Sequence, residues 1–179
     1  MRSPELTDIE RLLAYEEIRQ LASRYSICLD ARDLDGLVDL FVNDVRVGRD
    51  GRGREALRAE FNSSLRAVGV TFLLIGNHAI DLVSPEHATG IVYCRAEIQD
   101  GGPDSENWII QAIQYHDTYR RCEGHWRFVR RKHHLIYGAP LGTNPLTLPL
   151  ANWPNSQTGK GSHPYALPSW QSFWKAGDS

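Results

Sequence analysis

The sequence predicts an α+β domain in which a curved antiparallel sheet forms a cone closed by N-terminal helices, followed by an extended C-terminal strap. Three observations carry this. Helical periodicity fills the first forty residues and returns at 54–65. Four long β-rich runs then follow between Val68 and Ile136 without a helical pattern between them. The segment 138–179 holds six of the nine prolines and three of the five tryptophans. Helices first and strands afterwards indicate segregated layers rather than βαβ units.

The first helix opens with a capping-box signature, Thr7 with Glu10 three residues later. Ile9, Leu12 and Leu13 form one apolar stripe; Ile18, Leu21, Ala22, Tyr25 and Leu29 form another. At roughly 100° per residue the two stripes are half a turn out of phase. Either the helix bends near Tyr15, or its first turns pack against something other than their own core. Asp30-Ala-Arg-Asp ends the helix, and Asp33 can cap a short one carrying Leu37, Val38, Leu40 and Phe41. FVNDVRVG, 41–48, alternates well enough for a first strand. Gly51 and Gly53 flank a turn, and Arg54–Leu65 reads as a helix with Leu57, Phe61 and Leu65 on one face. The long strands are expected at Val68–Leu82, Ala88–Ile98, Trp108–Tyr119 and Trp126–Ile136. DGGPDSEN is a loop, and RRCEG joins a hairpin.

The strap cannot hold regular structure for long, because proline interrupts both helix and ladder. Leu146, Leu148, Leu150, Trp153, Trp170 and Trp174 make it too apolar for a solvated tail. It is expected to pack on its own domain or a neighbouring subunit, with a short helix at Pro168–Lys175. The organisation is therefore a cone domain, 1–137, and a strap, 138–179.

Composition bounds the function. Hydrophobic residues at 41%, charged residues at 23% and a net charge of −2 describe an ordinary globular chain, so neither nucleic acid nor membrane is an expected partner. The run Val70–Ile75 is too short to span a bilayer, and MRSPELTDIE lacks an apolar leader region. A cytoplasmic protein is the expectation. Cys28, Cys94 and Cys122 are odd in number and widely spaced, which points to reduced thiols.

Asp30 ends an apolar helix face, one turn after Ser26 and near Tyr25. A carboxylate at such an edge is desolvated and becomes more basic, as a general base requires; exposure at a helix end is the plainer alternative. Seven histidines supply further acid–base candidates. Alternation places His133 and His134 on opposite faces of their strand. His78 and His116 lie in other strands. H-x-x-x-H, H-x-H, Walker and G-x-G-x-x-G patterns are missing, so neither a metal nor a nucleotide cofactor is expected. In the cluster Arg127, Arg130, Arg131 and Lys132, charges on the face opposite the core can pair with acids such as Asp117 on the neighbouring strand. One inward arginine, with Arg131 as the candidate, can instead hold a substrate carboxylate or enolate.

The runs IRQLASRYSICLDARDLDGLVDLFVNDV, GNHAIDLV and IQYHDTYRRCEGHWRFVRR resemble SnoaL-like proteins of the nuclear transport factor two-like superfamily, over about Asp8–Tyr137. The chain is most similar to the branch holding scytalone dehydratase, bile-acid 7-alpha-dehydratase and hexachlorocyclohexane dehydrochlorinase. The resemblance implies a cystatin-like α+β barrel and cofactor-free proton removal by a histidine partnered with an aspartate at the end of the first helix. Asp30 matches that aspartate and Tyr25 a substrate-binding tyrosine. The histidine position falls on Leu73 or Leu74. Replacements open to the chain are His78, if the strand bulges at Gly76-Asn77, or His116, His133 or His134; otherwise the pocket binds without this chemistry. The expected catalytic set is Asp30, Tyr25, His78 and His133. Ser26, Leu73, Asn77, His116, Arg131 and His134 are the expected substrate contacts. The implied activity is that of a cofactor-free lyase, isomerase or cyclase acting on a hydrophobic, polycyclic or aromatic molecule. A non-catalytic binding protein and the structural small subunit of a ring-hydroxylating dioxygenase are the alternatives. A homo-oligomer is expected, trimer before dimer.

Overall fold

The structure, a computed structural model, describes residues 6–152 and 154–177. Helix α1, Asp8–Asp30, is continuous and begins with the expected capping box: Thr7 Oγ1 accepts from the Glu10 N–H while the Glu10 carboxylate accepts from the Thr7 N–H. Of its two stripes, Ile18, Leu21, Ala22, Tyr25 and Leu29 are buried, while Ile9, Leu12 and Leu13 stand 64–71% exposed. The helix does not break between them; its first turns extend past the core. Asp33 caps α2, Leu34–Asp39, through the Gly36 N–H.

The expected strand over 41–48 is much reduced. After Val42 donates to the Phe128 carbonyl, the Val45 N–H closes back on the Val42 carbonyl and the chain turns. Only β1, Arg46–Val47, remains, paired with β2, Gly51–Arg52, in a separate two-stranded arm. Helix α3, Gly53–Arg66, then buries Leu57 and Leu65.

Four long antiparallel strands make the main sheet in sequence order: β3 Val68–Ser84, β4 His87–Asp100, β5 Trp108–Cys122 and β6 His125–Pro140. Glu123 and Gly124, both at positive φ, form the two-residue turn between Cys122 and His125. The sheet curves but does not close on itself; α1, α2 and α3 cover its inner face. Alternation sends Val92, Cys94, Tyr115, Asp117 and Tyr119 into the core. Phe72, Leu74, Ile91 and Tyr93 face outward, 40–55% exposed.

Past Pro140 the strap crosses the end of the sheet, and helix α4 forms at Pro168–Lys175 as expected. Trp170 packs with Val70 and Trp108, and Phe173 joins the main core. Leu150 stays 75% exposed. Trp153 lies outside the described residues. Among those residues, no helix is long and apolar enough to cross a membrane.

Candidate active site

A cavity of about 810 Å³ opens between the β1–β2 arm, α3 and strand β6. Phe41, Leu57 and Phe61 form part of its apolar wall; Tyr25, Arg131 and His133 supply polar groups. Strand parity explains the last two, since both stand on the inward parity of β6.

The Arg131 side chain is 3% exposed, and that of Asp117 is 0% exposed. Arg131 Nε and Nη2 donate to the two Asp117 carboxylate oxygens at 2.9 and 2.6 Å. The rings of Tyr25, Tyr115 and Phe128 surround the guanidinium at 4.4–4.5 Å. Nη1 alone has no partner. Nη1 is thus left over, itself buried, on a cation whose charge Asp117 already balances.

The same network continues to His78. Tyr119 donates its hydroxyl proton to Asp117 at 2.8 Å. His78 Nε2 lies 3.0 Å from the Tyr119 oxygen, so it carries the proton and Nδ1 is the bare nitrogen, buried without a partner. Gly90 makes room for this contact: a Cβ there would meet His78 Nε2 and the Tyr119 ring, each at 3.1 Å. Burial pulls His78 down to about 4, so its ring is neutral at neutral pH. The expected register shift is present between Ile75 and His78. It turns His78 inward, toward Tyr119.

Asp30 sits at the opposite end of the α1–β3 contact. Its Oδ1 accepts from the Thr71 hydroxyl at 2.7 Å and its Oδ2 from the Leu73 N–H at 2.9 Å. No histidine is hydrogen-bonded to it among the described residues. Burial pushes its carboxyl up to about 6, against the lowering effect of those two hydrogen bonds and of Arg32. It is not one of the residues that line the cavity. Burial pushes the Tyr25 phenol up to about 12. His133 lies at the rim, edge-on to Tyr115 with centroids 5.7 Å apart, and burial lowers its pKa.

The other expected contacts are distributed differently. Ser26 is buried and donates to the Ser23 carbonyl within α1. Leu73 is buried and offers its backbone to Asp30. Asn77 is exposed at the bulge. Alternation turns His116 and His134 to the outer sheet face, away from the cavity, with rings 4.4 Å apart. Thr71, Tyr115 and Tyr119 were not singled out in the sequence. The i, i+2, i+4 spacing of Tyr115, Asp117 and Tyr119 was the available signal for two of them. Among the described residues no three His, Cys, Asp or Glu side chains are grouped to hold a metal ion.

A family model described as SnoaL-like domain matches residues 10–132. No curated protein matches the chain significantly. Among solved structures, a Novosphingobium aromaticivorans protein assigned as a scytalone dehydratase is similar at 23% identity and TM-score 0.65, covering 77% of this chain and 94% of its own. The hexachlorocyclohexane dehydrochlorinase LinA-type3 of Novosphingobium barchaimii is similar at 23% identity and TM-score 0.66, over 76% and 95%. A Nostoc punctiforme protein of unknown function with a cystatin-like fold follows at 24% identity and TM-score 0.55, over 74% and 95%. At these identities the structural likeness shows the fold.

Proposed function

Since the chain belongs to the SnoaL-like domain family, we propose that it is a cofactor-free lyase, isomerase or cyclase that moves a proton on a hydrophobic, polycyclic or aromatic molecule. The observation that carries this reading is the Asp30 carboxyl, which ends α1 hydrogen-bonded to the Thr71 hydroxyl and the Leu73 N–H, five residues after a tyrosine in the cavity wall, and which burial raises to about 6. Such a group is partly ionised near neutral pH and exchanges protons in both directions. The Tyr25 hydroxyl holds the substrate oxygen, and Asp30, outside the cavity wall, takes the proton from a substrate that reaches past Tyr25. Arg131, behind Tyr25 in the cavity wall, lends positive charge as negative charge develops on that oxygen. His133, at the rim, passes the proton to water. The names of two fold neighbours, a dehydratase and a dehydrochlorinase, favour elimination. The exposed outer face around Phe72, Leu74 and Tyr93 supports a homo-oligomer. A monomer by sedimentation at micromolar concentration would remove that part.

The test is enolisation of the aromatic ketone 2-tetralone, followed by NMR as deuterium wash-in from heavy water. Exchange above background is expected, with Asp30→Asn slower by about 10²–10⁴-fold. An Asp30→Asn protein that exchanges at the parent rate overturns the role of Asp30. A second reading, binding without turnover, draws on the two occupied oxygens of Asp30 and its lack of a histidine partner. It predicts that the ketone binds but does not exchange.

A further inference from the structure

Asp30 does not meet its nearest cation directly. Arg32, two residues on, sits at φ 58 and is 2% exposed. That backbone conformation turns its side chain back under the end of α1. There it donates to the carbonyls of Leu29 at 2.7 Å and of Gly69, and through Nη1 to Thr71 Oγ1 at 3.0 Å. A threonine hydroxyl has one proton. Because the Arg32 N–H already occupies Thr71 Oγ1 as acceptor, the hydroxyl proton is turned to Asp30 Oδ1 at 2.7 Å.

Arg32 is seated in turn by the strap. Its guanidinium carbon lies 4.9 Å from the centre of a Trp170 ring, and Ser169 Oγ donates to the Ala31 carbonyl at 2.8 Å. Arg66 of α3 holds the same helix from the other side, donating to the Phe173 carbonyl at 2.7 Å. The family match ends at residue 132, so α4 lies beyond it. We infer that Arg32 is a positioning residue for Asp30, and that α4, by seating Arg32 under Trp170, completes a site whose acid–base group lies on α1. This rests on the reading of Asp30 as that group.

The other titratable groups near Asp30 are Tyr25 on α1 and Cys94 on β4. Both are pushed up by burial, to about 12 and about 11, so neither changes charge where Asp30 titrates. The side-chain carboxyl carbon of Asp30 is therefore a clean reporter, read by carbon-13 NMR from pH 3 to pH 9 on the full chain. Thr71→Val removes the relay and Thr71→Ser keeps it. Arg32→Met removes the donor to Thr71, and Trp170→Leu removes the ring while leaving an apolar filler.

The expected result is a midpoint about half a pH unit or more above the parent in Thr71→Val and Arg32→Met. A smaller rise is expected in Trp170→Leu, and none in Thr71→Ser. Parent midpoints in both Arg32→Met and Trp170→Leu would overturn the inference, as would a Thr71→Ser shift equal to that of Thr71→Val. Should Arg32→Met not fold, the Thr71 pair and Trp170→Leu decide alone. The titration needs no turnover, so it can fail while Asp30 proves catalytic, or succeed while enolisation fails.

Discussion

Asp117 is buried and Asp30 half-buried, each with an arginine nearby, and the two are treated in opposite ways. Asp117 receives Arg131 directly, through two hydrogen bonds inside a ring of aromatics. Asp30 receives Arg32 only through the Thr71 hydroxyl. The direct pair is mutually neutralised and fixed. The relayed one leaves a carboxyl whose burial is incompletely offset, and its pKa rises to about 6. One bridging hydroxyl separates a closed ion pair from a carboxyl with a raised pKa.

The comparison breaks hardest at the direct pair. Arg131→Met should destabilise the fold by about 3–5 kcal/mol in urea unfolding, because it leaves Asp117 buried without its cation. Replacing both partners, with Asp117→Leu added, should recover most of that loss. A double variant as unstable as the single one would mean that the aromatic cage, not the charge, sets the energy.

Asp30→Asn should act with the opposite sign. The folded carboxyl titrates near 6 and the unfolded one near about 4. The native state therefore binds the extra proton between those values, and stability falls as pH rises through that window. At pH 7.5 an amide in place of the ionised group should raise stability by about 1–3 kcal/mol after allowance for solvent screening. The gain should vanish below about pH 4, where both carboxyls are protonated. An Asp30→Asn protein less stable than the parent at pH 7.5 would show that its hydrogen bonds outweigh its burial. The smallest effect is expected at the rim: His133→Ala should change stability by less than about 0.5 kcal/mol in the same assay, since no buried network depends on it.

Much of this was legible from spacing. The caps at Thr7 and Asp33, the order of helices and long strands and the helix at Pro168 all follow from local pattern, whereas the pairing of Asp117 with an arginine, expected on the exposed face, is buried. The mismatch between the Ile9 and Ile18 stripes also had a readable meaning, an end of α1 without its own core. What spacing could not supply was which parity of a strand faces inward. His116 and His134, expected as substrate contacts, lie on the outer face for this reason. Nor does a lone Thr or a turn Arg carry any signal. Thr71 and Arg32 become informative only when α1 and β3, some forty residues apart, bring them together. The arm at 41–48 was overread because apolar alternation cannot reveal a turn closed by the Val42 carbonyl.

The docking of α4 also has a history in time. Its contacts with α1 and α3 join residues 138 and 107 positions apart, from Ser169 to Ala31 and from Arg66 to Phe173. During synthesis α4 leaves the ribosome after every element it packs against. Until α4 docks, Arg32 lacks the Trp170 ring and the Ala31 carbonyl lacks the Ser169 hydroxyl. The relay from Arg32 through Thr71 to Asp30 is therefore seated by an element made later than all three of its members.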